Sequence, residues 1–283
     1  MAIPELMTVD VGGTPIAIRD SEADAPALVL LHGLGSSSQS WAFQFRALGE
    51  KYRVIAWDMP GYGASGGFVR DNPSAEQYAY ALDATLDLIG AARVHLVGHS
   101  VAALIGAAYA AEHPERVLSY TFCQGLTGLG GLSADERTRQ RRARLDAMSD
   151  QGPEALAESR GPAILGPATP PMVTALVVAI MKRVPAKAYN QAIEMMAQSD
   201  FFALAPAIAC PSLVIAGEAD PVSPVTACEA ARAALDTGAG GIGPMETIAG
   251  AGHLAPMENP ATFNAALSEF IDQVETRAAS ARA

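Results

Sequence analysis

The sequence predicts an α/β protein in which a mostly parallel sheet of eight strands is flanked by helices and interrupted by a helical cap. Two observations carry this prediction. Apolar, β-branched stretches of strand length alternate with amphipathic stretches of helix length, a pattern typical of a parallel sheet covered on both faces. From about 126 to 205 the alternation stops, and mainly helical patterns remain.

Eight stretches have the composition of strands and are separated by turn residues: 6–11, 15–19, 27–31, 54–57, 94–97, 118–123, 212–216 and 246–248. The first two alternate polar and apolar residues on either side of Gly12 and Gly13, which predicts a hairpin at one edge of the sheet. Helix-length runs lie at 41–52, 75–90, 101–113, 224–235 and 260–276. The tail over 277–283 is expected to fray.

Four helical patterns follow one another in the interrupted region, at 134–148, 153–159, 171–183 and 185–198. A helical block inside an α/β alternation is typical of a cap inserted over one end of the sheet. We therefore expect 1–124 and 206–283 to form the core domain and 125–205 to form the cap.

Composition excludes several function classes. The 283 residues include 30 acidic and 19 basic side chains, and the formal net charge of −11 argues against a nucleic-acid partner. Three cysteines without CxxC spacing predict neither a disulfide framework nor a zinc site. The first residues do not resemble an export signal, and no apolar run reaches the roughly 20 residues of a membrane span. We expect a cytoplasmic protein without a membrane partner.

The segment from Gly98 to Ala102, with Ser100 at its centre, lies between a buried strand pattern and an alanine-rich helical pattern. A serine at such a turn, with small residues two positions before and after it, is typical of a nucleophile elbow. Alanine stands where the pattern usually has glycine, and we expect the turn to close with it. The alternative from these residues alone is that Ser100 caps an ordinary buried helix.

An acid and a base follow later strands. Asp220 comes just after the strand pattern at 212–216, and His253 follows the one at 246–248 in a glycine-rich loop. Alone, Asp220 is typical of a turn or helix cap, and His253 of a surface loop. Their order after Ser100 and their places at strand ends favour a serine nucleophile, with His253 as its base and Asp220 orienting the imidazole.

A hydrolytic serine also needs backbone N–H groups that stabilise an oxyanion on the substrate carbonyl. Val101 directly follows Ser100, and Leu34 lies in the loop His32-Gly33-Leu34-Gly35 after the third strand. The alternative for this loop is a flexible glycine–serine connection. With the acid and base in the right order, we predict an oxyanion hole formed by the N–H groups of Leu34 and Val101.

Together these motifs make the sequence resemble the α/β-hydrolase superfamily over about 27–270. The resemblance rests on His32-Gly33, the 58–65 segment Asp-Met-Pro-Gly-Tyr-Gly-Ala-Ser, the elbow around Ser100, the 113–117 segment His-Pro-Glu-Arg-Val, and the segments 217–221 and 250–253. The chain is most similar to the capped bacterial esterases, enol-lactonases and carbon–carbon bond hydrolases. The resemblance implies the α/β-hydrolase fold and the same catalytic and oxyanion residues as above, and it makes Asp58 a structural residue.

We expect a serine hydrolase that cleaves a small carboxylic ester or lactone through an acyl-enzyme, without a cofactor or metal. Two alternatives stay open: a carbon–carbon bond hydrolase of aromatic degradation acting on a vinylogous diketone, and a non-catalytic ligand-binding member of the fold. The resemblance implies tryptophan after the catalytic histidine in most carbon–carbon hydrolases. This chain has Leu254 there, which favours the ester or lactone.

Five residues are expected at the substrate pocket: Gly33, His99, Leu126, Arg160 and Leu254. Arg160 and Lys182 in the cap are candidate anchors for a substrate carboxylate, although solvated surface charge is the more common role of such side chains. The sequence carries no signal for an oligomeric state.

Overall fold

The computed structural model describes residues 3–238 and 242–280. One sheet contains the strands β1 (Met7–Val11), β2 (Thr14–Asp20), β3 (Ala27–Leu31), β4 (Arg53–Trp57), β5 (Val94–His99), β6 (Val117–Cys123), β7 (Ser212–Gly217) and β8 (Ile242–Ile248). Their order across the sheet is β1-β2-β4-β3-β5-β6-β7-β8. The pairs β1–β2 and β2–β4 are antiparallel, and every pair from β4 to β8 is parallel. The predicted eight-stranded, mostly parallel sheet is confirmed.

The α-helices of the same residues are α1 (Ala42–Leu48), α2 (Ala75–Leu88), α3 (Ala102–Glu112), α4 (Ala134–Ala163), α5 (Pro171–Met181), α6 (Ala186–Gln198), α7 (Phe201–Leu204), α8 (Val225–Leu235), α9 (Ala255–Glu258) and α10 (Pro260–Ser280). The predicted edge hairpin is present, because Val11 pairs with Thr14 across Gly12 and Gly13. Both glycines have positive φ, as a two-residue hairpin turn requires.

Two apolar layers cover the faces of the sheet. Val29 and Leu31 of β3 point into a cluster that includes α2, α3 and α8. Leu28 and Leu30 point into a second cluster with α1 and α10. Because successive side chains of a strand face opposite sides, a strand buried on both faces needs a continuous apolar sequence. This requirement explains the apolar runs from which the strands were predicted.

Helices α4 to α7 lie between β6 and β7, in the region where the sequence predicts a cap. The helical patterns at 134–148 and 153–159 form two helical limbs, which meet at a kink at Gly152 and are together labelled α4. Gly152 has φ 72° and ψ 169°, and Pro153 follows it. A positive φ is readily adopted by glycine, and proline cannot donate a helical hydrogen bond, so the break is encoded locally. The domain boundaries at 125 and 205 stay a prediction.

Helices α4 and α5 pack against the loop that follows β8. Ala157 of α4, Val177 of α5 and Met181 of α5 belong to one apolar cluster with Leu254 and Met257. The backbone approach is also close: a Cβ on Gly252 would lie 2.6 Å from the carbonyl oxygen of Ile164. Glycine at this position therefore allows the end of α4 to contact the loop that carries His253.

The expectation of a frayed tail is wrong for residues 277–280, because α10 continues to Ser280. Alanines at 278 and 279 have high helix propensity, and the buried Val274 anchors the preceding turn. Residues 281–283 lie outside the described part of the chain. Within that part, no helix combines the length and apolarity needed to cross a membrane.

Candidate active site

Ser100 sits in a strained turn between β5 and α3. Its φ is 56°, a left-handed conformation that is uncommon for residues other than glycine. Its N–H donates to the carbonyl of Cys123 at 3.0 Å, and its own carbonyl accepts from Leu126 at 3.0 Å. A Cβ on Gly98 would lie 2.7 Å from the carbonyl oxygen of Ala102, so the turn needs glycine there. The left-handed turn forms with alanine at 102.

A chain of hydrogen bonds joins Ser100, His253 and Asp220. Ser100 Oγ lies 2.8 Å from His253 Nε2, and His253 Nδ1 lies 2.8 Å from Asp220 Oδ2. Because the carboxylate can only accept, Nδ1 carries the proton and Nε2 accepts from the serine hydroxyl. All three residues are buried, with 4 to 5% of their surfaces exposed. This geometry allows His253 to remove the hydroxyl proton of Ser100.

Asp220 is held as a carboxylate by its surroundings. Burial raises the pKa of its carboxyl, but the hydrogen bond and charge of His253 lower it more, together with backbone N–H groups. Those N–H groups belong to Val222 and Ser223, which donate to Oδ1 at 2.7 and 3.0 Å. The pKa of Asp220 therefore lies below its ordinary value, and the charge needed to stabilise an imidazolium is present.

His99 contacts the loop that carries His253. Its Nε2 donates to the backbone carbonyl of His253 at 2.7 Å, which fixes the tautomer with the proton on Nε2. Burial, followed by the charge of His253, lowers the pKa of His99 to about 3. His99 is therefore neutral at physiological pH and acts as a fixed hydrogen-bond donor beneath His253.

The N–H groups of Leu34 and Val101 donate no hydrogen bond to the described residues. The loop that carries Leu34 is held by two buried side chains. His32 accepts from the N–H of Met59 at 3.0 Å, and Asp58 accepts from the N–H of Ser38 at 2.7 Å. Unpaired N–H groups are rare in folded proteins. Val101 directly follows Ser100 in the sequence, and Leu34 lines the same pocket as Ser100.

Gln124, directly after β6, links the acid to the histidine loop, and sequence reasoning missed it. Its Nε2 donates to Asp220 Oδ2 at 3.1 Å and to the carbonyl of Gly252. Its Oε1 accepts from the N–H of Ala255 at 2.9 Å. The side chain is fully buried. The sequence did offer a signal, because Gln124 is a polar residue at the carboxyl end of a buried strand. Glutamine is not a nucleophile, an acid or a base, so it was not assigned to the site.

Glu258 in α9 joins the cap to the same loop and was also missed. Its Oε2 accepts from the N–H of Gly166 at 2.6 Å, from the hydroxyl of Thr169 at 2.6 Å and from the N–H of Gly252 at 3.0 Å. Its Oε1 accepts from the N–H of Leu254 at 2.9 Å. One carboxylate therefore satisfies donors on both sides of the contact between α4 and the loop of His253.

A pocket in front of Ser100 is lined by His253, by Leu34 and by all five residues that the sequence predicts there: Gly33, His99, Leu126, Arg160 and Leu254. Asp220 and Val101 are not among its lining residues. Arg144 of α4 and Tyr189 and Met196 of α6 also line the pocket, and the sequence analysis did not assign them to it. The sequence does not single out Arg144, because this residue belongs to a charge-rich stretch of α4 with several other arginines. Lys182 does not line the pocket and instead pairs with Glu158 at 2.6 Å.

Among residues 3–238 and 242–280, no cluster of three histidine, cysteine, aspartate or glutamate side chains has the geometry to hold a metal ion. The cysteines at 123, 210 and 228 are buried and unpaired. Burial raises the pKa of the Cys210 thiol to about 12 and that of the Cys228 thiol to about 11. These thiols are therefore poor nucleophiles.

Sequence comparison identifies the family. A family model described as alpha/beta hydrolase fold matches residues 26–151. The putative carbamate hydrolase RutD of Klebsiella pneumoniae is 31% identical over 217 residues, which is 75% of this chain and 80% of the relative. A 2-hydroxy-6-oxononadienedioate/2-hydroxy-6-oxononatrienedioate hydrolase of Paraburkholderia phymatum is 37% identical over 123 residues, covering 41% of this chain and 43% of the relative. The chain belongs to the α/β-hydrolase superfamily, as its motifs predicted.

Solved structures share the fold. A thermophilic esterase from Thermogutta terrifontis superimposes with a TM-score of 0.83 at 24% identity, covering 95% of this chain and 99% of that one. The enol-lactonase from Burkholderia xenovorans LB400 superimposes with a TM-score of 0.78 at 24% identity. The superposition covers 94% of this chain and 100% of the enol-lactonase. Family and fold together define a hydrolase of the α/β class.

Proposed function

We propose that this α/β hydrolase is a serine hydrolase that cleaves a small carboxylic ester or lactone through an acyl-enzyme. One observation carries the proposal: the hydrogen-bonded chain from Asp220 through His253 to Ser100, whose last two members line a pocket. Ser100 is the nucleophile, His253 the general base and then the general acid, and Asp220 orients and stabilises the imidazolium. We also propose that 125–205 acts as a cap over this pocket.

In the first half of the reaction, the hydroxyl proton of Ser100 moves to His253 Nε2 while Oγ bonds to the carbonyl carbon. The carbonyl oxygen becomes an oxyanion that accepts from the N–H groups of Leu34 and Val101. Each such donor contributes on the order of 3 kcal/mol to the transition state. His253 then protonates the leaving alkoxide, which departs as an alcohol. In the second half, His253 deprotonates a water that attacks the acyl carbon. The bond from that carbon to Oγ then breaks, His253 returns the proton to Ser100 and the carboxylic acid is released.

Labelling with a fluorophosphonate tests the proposal, because the reagent reacts with an activated serine. We expect stoichiometric labelling of the wild type and none of Ser100→Ala. Ser119→Ala is the matched control, because Ser119 also contacts a buried histidine, His95 Nδ1 at 2.8 Å, but does not line the pocket. That variant should be labelled like the wild type. A folded wild-type protein that takes up no label would contradict the proposal and would favour the non-catalytic alternative.

The bond that is cleaved is settled by comparing p-nitrophenyl esters, lactones, aryl carbamates and vinylogous diketones as substrates. We expect the highest kcat/KM with an ester or lactone. Two relatives supply the competing outcomes, since one is named a putative carbamate hydrolase and another a hydrolase of 2-hydroxy-6-oxo dienedioates. A highest kcat/KM with the diketone would make the carbon–carbon hydrolase the correct function, with the same serine and histidine.

A further inference from the structure

The pocket in front of Ser100 carries only positive side-chain charge. Arg144 and Arg160 line it, and no aspartate or glutamate among the described residues does so. The whole chain, in contrast, has 30 acidic and 19 basic side chains. Positive charge concentrated in a pocket with apolar walls attracts anions more strongly than the same charge on an open surface. A cationic pocket in an acidic protein therefore points to an anionic ligand.

Arg144 differs from three of its four neighbouring arginines in α4; like Arg137, it has no ion pair within the described part of the chain. Three other arginines of this helix each form an ion pair: Arg139 with Glu136, Arg141 with Glu194, and Arg142 with Asp146. Arg144 donates only to the backbone and side-chain oxygens of Gln140, at 2.9 and 3.5 Å. It forms no ion pair with any described carboxylate, so most of its five N–H donors are free.

Arg160 and Tyr189 offer further unused donors. Neither the Arg160 guanidinium nor the Tyr189 hydroxyl forms a hydrogen bond within the described part of the chain, although Tyr189 is 5% exposed. The three side chains lie near one another. Burial, followed by the charge of Arg160, lowers the pKa of Arg144, and both arginines partly offset the rise in the pKa of Tyr189 caused by its burial. Arg144 is half-buried and Arg160 is exposed, so the pair has donors that a ligand carrying negative charge can reach from the pocket.

The break in α4 brings the two arginines together. They are separated by 16 positions in the sequence, which in a straight helix would place their Cα atoms about 24 Å apart. The break at Gly152 lies between them, so each arginine is on a different limb of the helix and both line one pocket. The position of this pair is therefore a property of the folded cap.

We propose that Arg144, Arg160 and Tyr189 form a subsite for a carboxylate carried by the substrate. The inference rests on the proposed function in that it names the class of ester or lactone that Ser100 attacks: one with a free carboxylate on the portion that reaches the cap. Each planar guanidinium group can donate two parallel N–H bonds to carboxylate oxygens, and the tyrosine hydroxyl can donate one more bond.

The test compares esters that differ only in charge. Mono-p-nitrophenyl esters of succinic, glutaric and adipic acids carry a terminal carboxylate, and the corresponding esters with a terminal carboxamide are uncharged and nearly isosteric. For at least one chain length, we expect the wild-type kcat/KM to favour the carboxylate by at least about tenfold, the factor expected from one charged hydrogen bond. The preference should decrease as salt increases, because it is electrostatic.

Substitution by methionine removes the charge and keeps the apolar stem. The carboxylate preference should fall by roughly three- to tenfold in Arg144→Met and in Arg160→Met, and to near unity in the double variant. Arg144→Lys should keep more of the preference than Arg144→Met. Lys182→Met is the matched control, because Lys182 is a cap cation paired with Glu158 outside the pocket; it should keep the full wild-type preference.

Calorimetry with succinate, glutarate and adipate on the Ser100→Ala protein provides a reading that needs no catalysis. At least one diacid should bind, and adding the two arginine substitutions should weaken its binding by at least about tenfold. Labelled enzyme that shows no carboxylate preference, or keeps it in the double methionine variant, would overturn the subsite alone. Diacid binding that depends on the arginines in a protein that is neither labelled nor active would sustain the subsite and reject the serine hydrolase.

Discussion

Gln124 has the most constrained side chain near the proposed acid. Both of its amide hydrogens are directed to oxygens, of Asp220 and Gly252, and its oxygen accepts from Ala255. A fully buried amide leaves no water to replace a lost partner, so its orientation is fixed by these three groups. Gln124 is thus a positioning residue that sets where Asp220 meets His253.

Replacing Gln124 by glutamate should lower kcat by about 10- to 100-fold with little change in KM. A carboxylate at this position cannot donate to Asp220, and its charge raises the pKa of Asp220. The acid limb of the pH–rate profile should therefore move to higher pH. Steady-state kinetics on an uncharged p-nitrophenyl ester between pH 4 and 9 would measure both effects.

Gln191→Glu is a suitable control for this change. Gln191 is also a buried glutamine whose amide donates to backbone carbonyls, those of Phe68 and Arg70, but it is not a partner of Asp220. Its substitution should lower stability without moving the pH profile. An unchanged profile in Gln124→Glu would contradict the positioning role.

The residues proposed for chemistry were accessible from sequence for a physical reason. Parallel strands bring their carboxyl ends to one edge of the sheet. The sequence alone therefore predicts that Ser100, Asp220 and His253 lie close together. Gln124 and Arg144 could not be assigned in this way, because glutamine and arginine have many uses in a sequence. Gln124 matters because it donates to an oxygen of Asp220, and Arg144 matters because no described carboxylate pairs with it. Both features depend on three-dimensional packing.

At the scale of elements, one acid adds four hydrogen bonds to the apolar contact between α4 and the loop of His253. Glu258 accepts hydrogen bonds from Gly166 and Thr169 after α4, and from Gly252 and Leu254 on either side of His253. A carboxylate can serve four donors, whereas an amide has only one oxygen. The position of His253 is therefore coupled to the cap through this side chain.

Glu258→Gln should reduce the free energy of unfolding by about 1–3 kcal/mol, because at least one partly buried N–H loses its acceptor. Urea unfolding would measure the loss, and hydrogen exchange should increase over 164–169 and 252–258. Glu269→Gln removes the same charge from an exposed position of α10 and should change neither quantity. Equal exchange in wild type and Glu258→Gln would show that this carboxylate does not hold the contact.

Strands and helices were predictable to within a few residues where periodicity is strong, as in β3 over 27–31. The separation of α4 into two limbs at Gly152 was predictable too, because Gly152 and Pro153 are typical of a break between helical segments. The order of the strands in the sheet, in contrast, requires tertiary information, since the apolar runs do not state their neighbours.

For the molecule as a whole, buried histidines couple stability to pH. Burial is the largest cause of the lowered pKa of His32, His95 and His99. In each case the unfolded chain takes up a proton at a pH where the folded protein does not. The stabilising contribution is complete above the unfolded pKa, near 6.5, and decreases as the pH falls toward the folded pKa.

His99 gives this effect a testable size. The pKa of His99 in the folded protein is about 3. Lowering the pH from 7 to 5 should therefore reduce the free energy of unfolding by about 2 kcal/mol through this residue alone. His99→Gln keeps a donor for the carbonyl of His253 and cannot titrate. Urea unfolding at the two pH values should show a loss smaller by about this amount in the variant. The same loss in both proteins would exclude His99 as a contributor.

The break in α4 also makes the proposed carboxylate subsite sensitive to distant changes in the chain. A Cβ at residue 152 would meet no atom within 4 Å, so glycine there supplies its φ of 72° and not space. Inserting one residue into either limb would turn the side chains beyond it by about 100° and carry one arginine away from the pocket. The distance between the two arginine charges therefore depends on the length and the rotational phase of the two limbs of α4. Residues that do not line the pocket set both. We therefore expect related chains whose limbs differ in length from those of α4 to differ also in their preference for charged over uncharged substrates.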